Sequence, residues 1–369
     1  MKILKPDYDQ SLLSLMSSIL NYYGVKDADH PTLKEADELL NKNYKNVVLC
    51  LFDGMGYLNL EEHKDDAPFL YEHVLRPLSS VFPPTTVAAT TTVLSGKSPA
   101  QSAWLGWDMY FEELGHNVDV FINKIQFTKD DVCEYNYAFK HLAYDTIFKR
   151  INDADKDVTT NYISDFGDIQ YKENLNTAKK LLLEINKREG RQFTYFYNVY
   201  PDETMHQTGT MSKSACEWFK KLDKFVKEFS EKADDTLIMV IADHGHIDID
   251  WIYLDEYPEI HNMLLREPSI ETRSASLFIK DEYKDVFEEK FNEVLGDKFM
   301  LMSKMEILDT KLFGPGKMHE RTEGFIGDYL AIAIDKYAMG ITRIEENLKS
   351  HHAGMTEKEM LIPLVVIEK

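Results

Sequence analysis

Three short apolar runs in this chain are each followed closely by an acidic residue. NVVLCLF leads into Asp53 and TLIMVIA into Asp243, while FTYFYNVY reaches Asp202 across Pro201. Continuous apolar runs of this length, rich in β-branched residues and bounded by turn residues, read as strands covered on both faces. MLIPLVVIEK at the C-terminus reads the same way, as a further buried parallel strand. Helical patterns lie between the runs, at Asp9–Tyr23, Leu175–Arg188 and Ser212–Ala233. The alternation predicts an α/β fold: a mostly parallel central sheet flanked by helices on both faces. Such sheets gather functional residues just past the carboxyl ends of their strands, which is where these acids stand.

Residues 255–325 have a different texture. SASLFIK and KFMLMS read as strands, with a helix at Glu282–Leu295 between them. GDYLAIAI then reads as a strand that returns the chain to the main sheet. The expected division is a catalytic core of residues 1–254 and 326–369, with a small inserted α/β cap at 255–325.

With 369 residues, 44% of them apolar, the chain has ample material for a sizeable core. It carries 63 Asp and Glu against 42 Lys and Arg, a net charge of −21. That surface repels long nucleic acid and anionic membranes. The longest near-apolar runs are about seven residues, and a membrane span needs about 20. Cys50, Cys133 and Cys216 have no paired spacing, and MKILKPDYDQ has no apolar leader. A reducing, cytoplasmic setting is expected. Nothing in the sequence sets the oligomeric state.

Taken singly, each polar residue at a strand end has an ordinary explanation. Asp53-Gly54 is a turn. Asp202 and His206 are a helix start and a surface His. Together they are a set of ligand types suited to zinc and related divalent ions. Asp202 and His206, at i and i+4, can face one way on a helical turn. Asp243 and His244 share a loop, and His351-His352 precede the last strand. His246, two residues after His244, either supports a metal site or is a plain loop residue. The count of ligand-capable residues is enough for two ions.

The segment SSVFPPTTVAATTTVLSGKSP adds hydroxyls to this set. Pro83-Pro84 and Gly96 bracket a short helix from Thr86 to Ser95, although its β-branched content is poor for helix. A hydroxyl at a helix N-terminus is ordinarily a cap, but the N–H groups there also favour a phosphate. A Thr hydroxyl becomes a nucleophile only when a metal or base activates it. Trp104, Trp107, Tyr110 and Phe111 follow, as packing residues or as a platform for a nucleobase.

In these blocks the chain resembles the alkaline phosphatase superfamily, closest to its type I phosphodiesterase/nucleotide pyrophosphatase branch. The matching blocks are LFDGMG, FPPTTVAATTTVLSGKSP, YPDETMHQTG, ADHGH and SHHAGMTEKEMLIPL, in the family's order from Leu51 to Leu364. The resemblance implies a phosphoester hydrolase with two divalent ions, zinc before manganese, and a covalent phosphothreonine intermediate. It implies Thr86 as nucleophile, with Thr85 as the fallback. It implies Asp53, Thr86, Asp243 and His244 on one ion, and Asp202, His206 and His352 on the other. Ala89 departs from the family pattern, since its phosphodiesterases carry an Asn there, and His-Ala-Gly replaces a late His-Gly. The first departure leaves a phosphoryl-oxygen donor to be found, with a backbone N–H, Thr90 and Thr91 as options. The expected partner is a small phosphoester or nucleotide-like substrate. Alternatives on the same metal core are a phosphomonoesterase, a phosphonate hydrolase and a metal-binding homologue without catalysis.

Overall fold

A six-stranded sheet forms the centre of the computed structural model, which describes residues 1–26, 30–343 and 348–369. Its strands are β1 (Asn46–Phe52), β2 (Val74–Ser79), β3 (Val158–Ile163), β4 (Arg191–Asn198), β5 (Thr236–Ile241) and β6 (Leu361–Glu368). Their spatial order is β2-β6-β5-β1-β4-β3. The run of β5, β1, β4 and β3 is parallel, as the apolar runs predicted. β6 is a correction to that expectation, because it lies antiparallel to both β5 and β2. Apolar periodicity carries no chain direction, so the C-terminal run reads alike either way. The two strands without a predicted counterpart, β2 and β3, are the sheet's edges. Each has partly exposed positions that dilute the apolar signal.

Register brings the chemistry to one edge. Phe52 pairs with Asn198 and Leu51 with Ile241, so β1, β4 and β5 end level. The residues that follow them therefore leave the sheet side by side.

The helices are α1 (Leu12–Tyr22), α2 (Thr86–Ser95), α3 (Leu175–Asn186), α4 (Asp202–Thr208) and α5 (Lys213–Ser230). They cover both faces of the sheet. Tyr23, just past α1, packs on Phe193, whereas Phe225 of α5 packs on Phe196. Residues 193 and 196 point to opposite sides of β4, because side chains alternate along a strand. α2 forms over the predicted residues despite poor propensity, because Val87 through Val93 are all buried. Tertiary burial outweighs a few tenths of a kcal/mol per β-branched residue. Gly96 ends the helix at φ +67, with its N–H bonded to Thr92 O. A Cβ there would meet Leu20 of α1 at 2.3 Å.

A second, seven-stranded sheet stands beside the first and is antiparallel wherever its strands pair. It contains Ser274–Leu277 and Phe299–Ser303, as expected of the inserted unit. It also takes in Asp108–Phe111, His116–Asp119 and Tyr329–Ala333. Tyr329–Ala333 was expected in the main sheet, but it pairs with Ser274–Leu277 and Phe299–Ser303 instead. A doubly covered run such as LAIA fits either sheet, so its sequence does not choose between them. Helix Phe287–Leu295 closes a separate apolar cluster over this sheet. Among the described residues, no helix is long and apolar enough to cross a membrane.

Candidate active site

Asp53 follows β1 in a turn that needs glycine. Gly54 has φ +71, and a Cβ on it would meet Asp202 Cβ at 2.9 Å and His246 Cδ2 at 3.0 Å. That close approach draws the β1 turn against the start of α4. The Asp202 N–H donates to Asp53 O at 3.0 Å, tying the two turns together. Asp243, past β5, is anchored differently. Its Oδ1 accepts the N–H groups of Gly54 (3.0 Å) and His244 (2.9 Å). Its Oδ2 is fully buried and has no hydrogen-bond partner.

Thr86 is the first residue of α2. Its Oγ1 lies 3.3 Å from His244 Nε2 and 3.5 Å from Asp53 Oδ1. Thr85, the N-cap residue, does not cap the helix, because its hydroxyl donates to buried Glu271 at 2.5 Å. The first backbone donor satisfied within α2 is Ala89, bonded to Thr85 O. The N–H groups of Thr86, Val87 and Ala88 thus lack an intrahelical acceptor, and nothing caps them from Thr85. Ala89 itself is fully buried in the main core. The hydroxyl of Thr90 turns back to Thr86 O at 2.6 Å, and Thr91 is buried. Among the donors considered for a phosphoryl oxygen, the Thr91 hydroxyl is unpartnered but enclosed, which leaves the N–H groups at the start of α2.

Asp202 and His206 share the first turns of α4, and His352 and His246 arrive on two loops. Donor atoms of these four residues all lie within 4.8 Å of one another. His206 Nδ1 donates to Ser350 O at 2.8 Å. Ser350 Oγ donates to Met205 O and accepts from His246 Nδ1 at 2.9 Å. Both rings are thereby held with Nε2 as the lone-pair nitrogen. Both Nε2 atoms face Asp202 Oδ1, His206 from 3.4 Å and His246 in a very short contact. Lone pairs meeting a carboxylate oxygen repel unless a proton or a cation lies between them. The donor set of one carboxylate and three imidazoles fits a divalent ion of the zinc type. His351, the other of the late pair, lies outside this group; its Nδ1 accepts the His352 N–H.

Electrostatics points the same way. Burial, with Asp243 and Asp202 nearby, pushes the Asp53 carboxyl well up, against a 2.5 Å bond from Tyr197 OH. Burial also raises Asp243, against the opposing pull of His244. Burial opposes ionisation of Asp202 too, but His206 and His246 outweigh it and hold that carboxyl low. Burial drops His246 to about 4, and it drops His352 well below the usual range with neighbouring imidazoles adding to it. Asp53 and Asp243, packed this closely, disfavour their own charges without a cation to share.

Five of the seven sequence-predicted residues thus fall in two groups that meet at Asp202: Asp53, Asp202 and His244 in one, Asp202, His206 and His352, joined by His246, in the other; Thr86 and Asp243 flank the first group through His244, at 3.3 and 3.5 Å. His246 was left undecided by the sequence; its place two residues after His244 on one loop was the available signal. Glu271 was missed. Nothing marks it in SIETRSASLFI beyond an acid in a run of small and apolar residues. Of the aromatics after α2, Trp104 and Phe111 are fully buried core, Tyr110 lies under Arg266, and Trp107 is partly exposed.

The family model for type I phosphodiesterase/nucleotide pyrophosphatase matches residues 47–353. Curated proteins give no match. Among solved structures, an inactive form of murine ectonucleotide pyrophosphatase/phosphodiesterase 5 in complex with AMP is similar at TM-score 0.60 and 15% identity, over 86% of this chain and 87% of that one. Phosphonoacetate hydrolase from Sinorhizobium meliloti 1021, in complex with phosphonoformate, is similar at TM-score 0.63 and 16% identity, over 86% of this chain and 89% of that one. The chain therefore belongs to the type I phosphodiesterase/nucleotide pyrophosphatase family of the alkaline phosphatase superfamily and is a phosphoester hydrolase.

Proposed function

We propose that this chain cleaves small phosphodiesters or nucleotide-like diphosphates through a covalent phosphothreonine on Thr86. The observation that carries the reading is the placement of Thr86 Oγ1 at the uncapped N-terminus of α2, beside Asp53 and His244. We assign Asp53, Thr86, Asp243 and His244 to one divalent ion, and Asp202, His206 and His352 to a second. His246 joins the second set, because its Nε2 lone pair faces Asp202. Carboxylate and imidazole together suit zinc, with manganese as the alternative. Bound ions supply charge neutralisation on phosphate and lower the pKa of the hydroxyl and the hydrolytic water.

The chain's own groups do the rest. The N–H groups of Thr86, Val87 and Ala88 receive phosphoryl oxygens, the role left open by Ala89. Thr86 Oγ attacks phosphorus in line, its proton is lost, and the bond from phosphorus to the leaving oxygen breaks. The leaving group departs as an alcohol or phosphate after taking up a proton. Water then cleaves the Oγ–phosphorus bond and restores the hydroxyl. The acidic surface, −21 overall, keeps long polyanions away while small esters reach the buried centre. Three free cysteines fit a reducing cytoplasm.

Thr86→Ala tests the nucleophile. It should lower kcat by about 10³-fold or more with the zinc content retained. Turnover near wild type would sink the assignment. Asp243→Asn should instead lose metal, measured by elemental analysis of the purified protein. Bis-aryl and mono-aryl phosphates assayed side by side give the ester class; a monoester preference replaces the diester reading with a phosphomonoesterase.

A further inference from the structure

A cavity of about 390 Å³ is in the size range of small-molecule sites. Its walls come from the second sheet and from the paired strands Asp250–Tyr253 and Tyr337–Gly340. Two wall residues link it to neighbours of the candidate site. Glu271 accepts the hydroxyl of Thr85, the residue before Thr86. Trp251 lies 6.3 Å from the His351 ring, and His351 adjoins His352.

The polar atoms of this wall are mostly acceptors in want of donors. Asp108 is 7% exposed; its Oδ2 accepts from Gln126 at 2.5 Å, and its Oδ1 is buried with no partner of hydrogen-bond geometry. Glu271 takes both of its hydrogen bonds, from Thr85 and from the Trp107 N–H, on Oε1. Thr272 Oγ1 is buried and unpartnered. The nearby cations are committed elsewhere. Lys129 pairs with Asp119 at 2.6 Å, and Arg343 lies over Tyr253 and reaches Glu256. A neutral alkyl group placed here would leave Asp108 Oδ1 stranded, a cost of about 1–3 kcal/mol for a buried acceptor. Burial, with Glu271 and Asp119 nearby, pushes the Asp108 carboxyl well up, and burial pushes Glu271 up to about 7, so a further anionic group is disfavoured and a cation would hold both acids ionised. A protonated primary amine meets both conditions: its N–H groups satisfy Asp108 Oδ1 and Thr272 Oγ1, its charge balances Asp108 and Glu271, and the faces of Trp251 and Phe127 favour a cation.

We propose that this cavity is the subsite for an ester substituent of the substrate and that it selects a substituent carrying a protonated primary amine. The proposal rests on the phosphodiesterase reading above, and its test separates the two. The zinc-loaded full chain hydrolyses bis(p-nitrophenyl) phosphate while two inhibitors of equal shape compete, 2-aminoethylphosphonate and propylphosphonate. Either can place its one substituent on either side of phosphorus. The amine should inhibit at least tenfold more strongly than its propyl isostere. Asp108→Asn should bring that ratio close to one, and Thr272→Val should reduce it about threefold. Calorimetric binding of both phosphonates to the Thr86→Ala protein should give the same order without turnover. If Asp108→Asn does not fold, Thr272→Val and the calorimetry carry the test. Equal inhibition by the two phosphonates, with bis-aryl ester turnover intact, overturns the amine subsite alone. Absence of turnover on any phosphate ester overturns the phosphodiesterase reading, and the calorimetry then still decides whether the cavity prefers the amine.

Discussion

The two halves of the site are held by different parts of the fold. Asp53, Thr86, Asp243 and His244 sit on the ends of β1 and β5 and the start of α2, and backbone N–H groups of Gly54 and His244 fix Asp243 directly. The other half depends on the loop 351–354. That loop is anchored to the second sheet through Arg273 and Glu359, a fully buried pair joined by two bonds of 2.7 and 2.8 Å. Glu359 also accepts the N–H of Gly354 at 2.7 Å, and Arg273 donates to the carbonyls of Asp335 and Tyr337. The ends of β1 and β5 with the start of α2 build one half, and α4 with a loop tied to the second sheet builds the other. The difference teaches where the site is vulnerable: on the side of His352.

Arg273→Met should break that side with the largest effect. Leaving Glu359 buried without its partner should cost about 3–5 kcal/mol in urea unfolding at neutral pH. The sign of the pH dependence checks the cause. Burial works against the ionised Glu359, but Arg273 outweighs it and holds the carboxyl below its ordinary value. A depressed folded pKa gives stability that is present above the unfolded value of about 4.3 and lost as pH falls through the folded one. In the variant only the hydrogen bonds from Thr356 and the Gly354 N–H still oppose burial, so Glu359 titrates higher than in the wild type and protonation relieves it. The gap between wild type and variant should therefore narrow as the pH falls from 7 to 4. A constant gap would mean that lost packing, rather than the ion pair, holds the loop.

The same contrast explains what the sequence revealed. β1, β4, β5 and α2 were legible because each is an uninterrupted buried element with a marked end: an acid after the strand, a Pro pair and a glycine around the helix. Their register then put Asp53, Asp202 and Asp243 where strand ends predict. The half around His352 was legible as residues but not as structure. Arg273 and Glu359 are 86 positions apart and look like ordinary surface charges in sequence. Tyr329–Ala333 has the texture of a main-sheet strand and pairs elsewhere. The direction of β6 and the partner of His246 depend on long-range packing that no local pattern encodes.

His246→Ala sharpens the comparison with an intermediate effect. On the two-ion reading proposed above, removing one of three imidazoles around Asp202 should weaken the ion proposed there by about 10–100-fold, the range found when a group around a metal site is lost. The ion at Asp53, Asp243 and His244 should keep its affinity. Competition against a chromogenic chelator, resolved into two steps, reads both. Equal weakening of the two would show that the halves are not separately held.

Ala353→Gly should give the smallest effect, with the opposite sign. Ala353 has φ +81, in the left-handed region, fully buried in the loop that carries His352. The second sheet holds it there, since its carbonyl accepts the Ser274 hydroxyl at 2.5 Å and the next residue's N–H meets Glu359. A non-glycine residue in that region costs about 1–2 kcal/mol. Glycine removes this strain but gains freedom in the unfolded chain, which returns about 0.4–1 kcal/mol. The net expectation is a stabilisation of about 0.5–1 kcal/mol, read as a shift in the urea midpoint at unchanged slope. The same substitution in the Arg273→Met background should gain less, because a loop released from its Arg273–Glu359 anchor no longer forces residue 353 into the strained conformation. An equal gain in both backgrounds would show that the loop keeps its shape without that anchor, and that the two halves of the site differ less than their anchors imply.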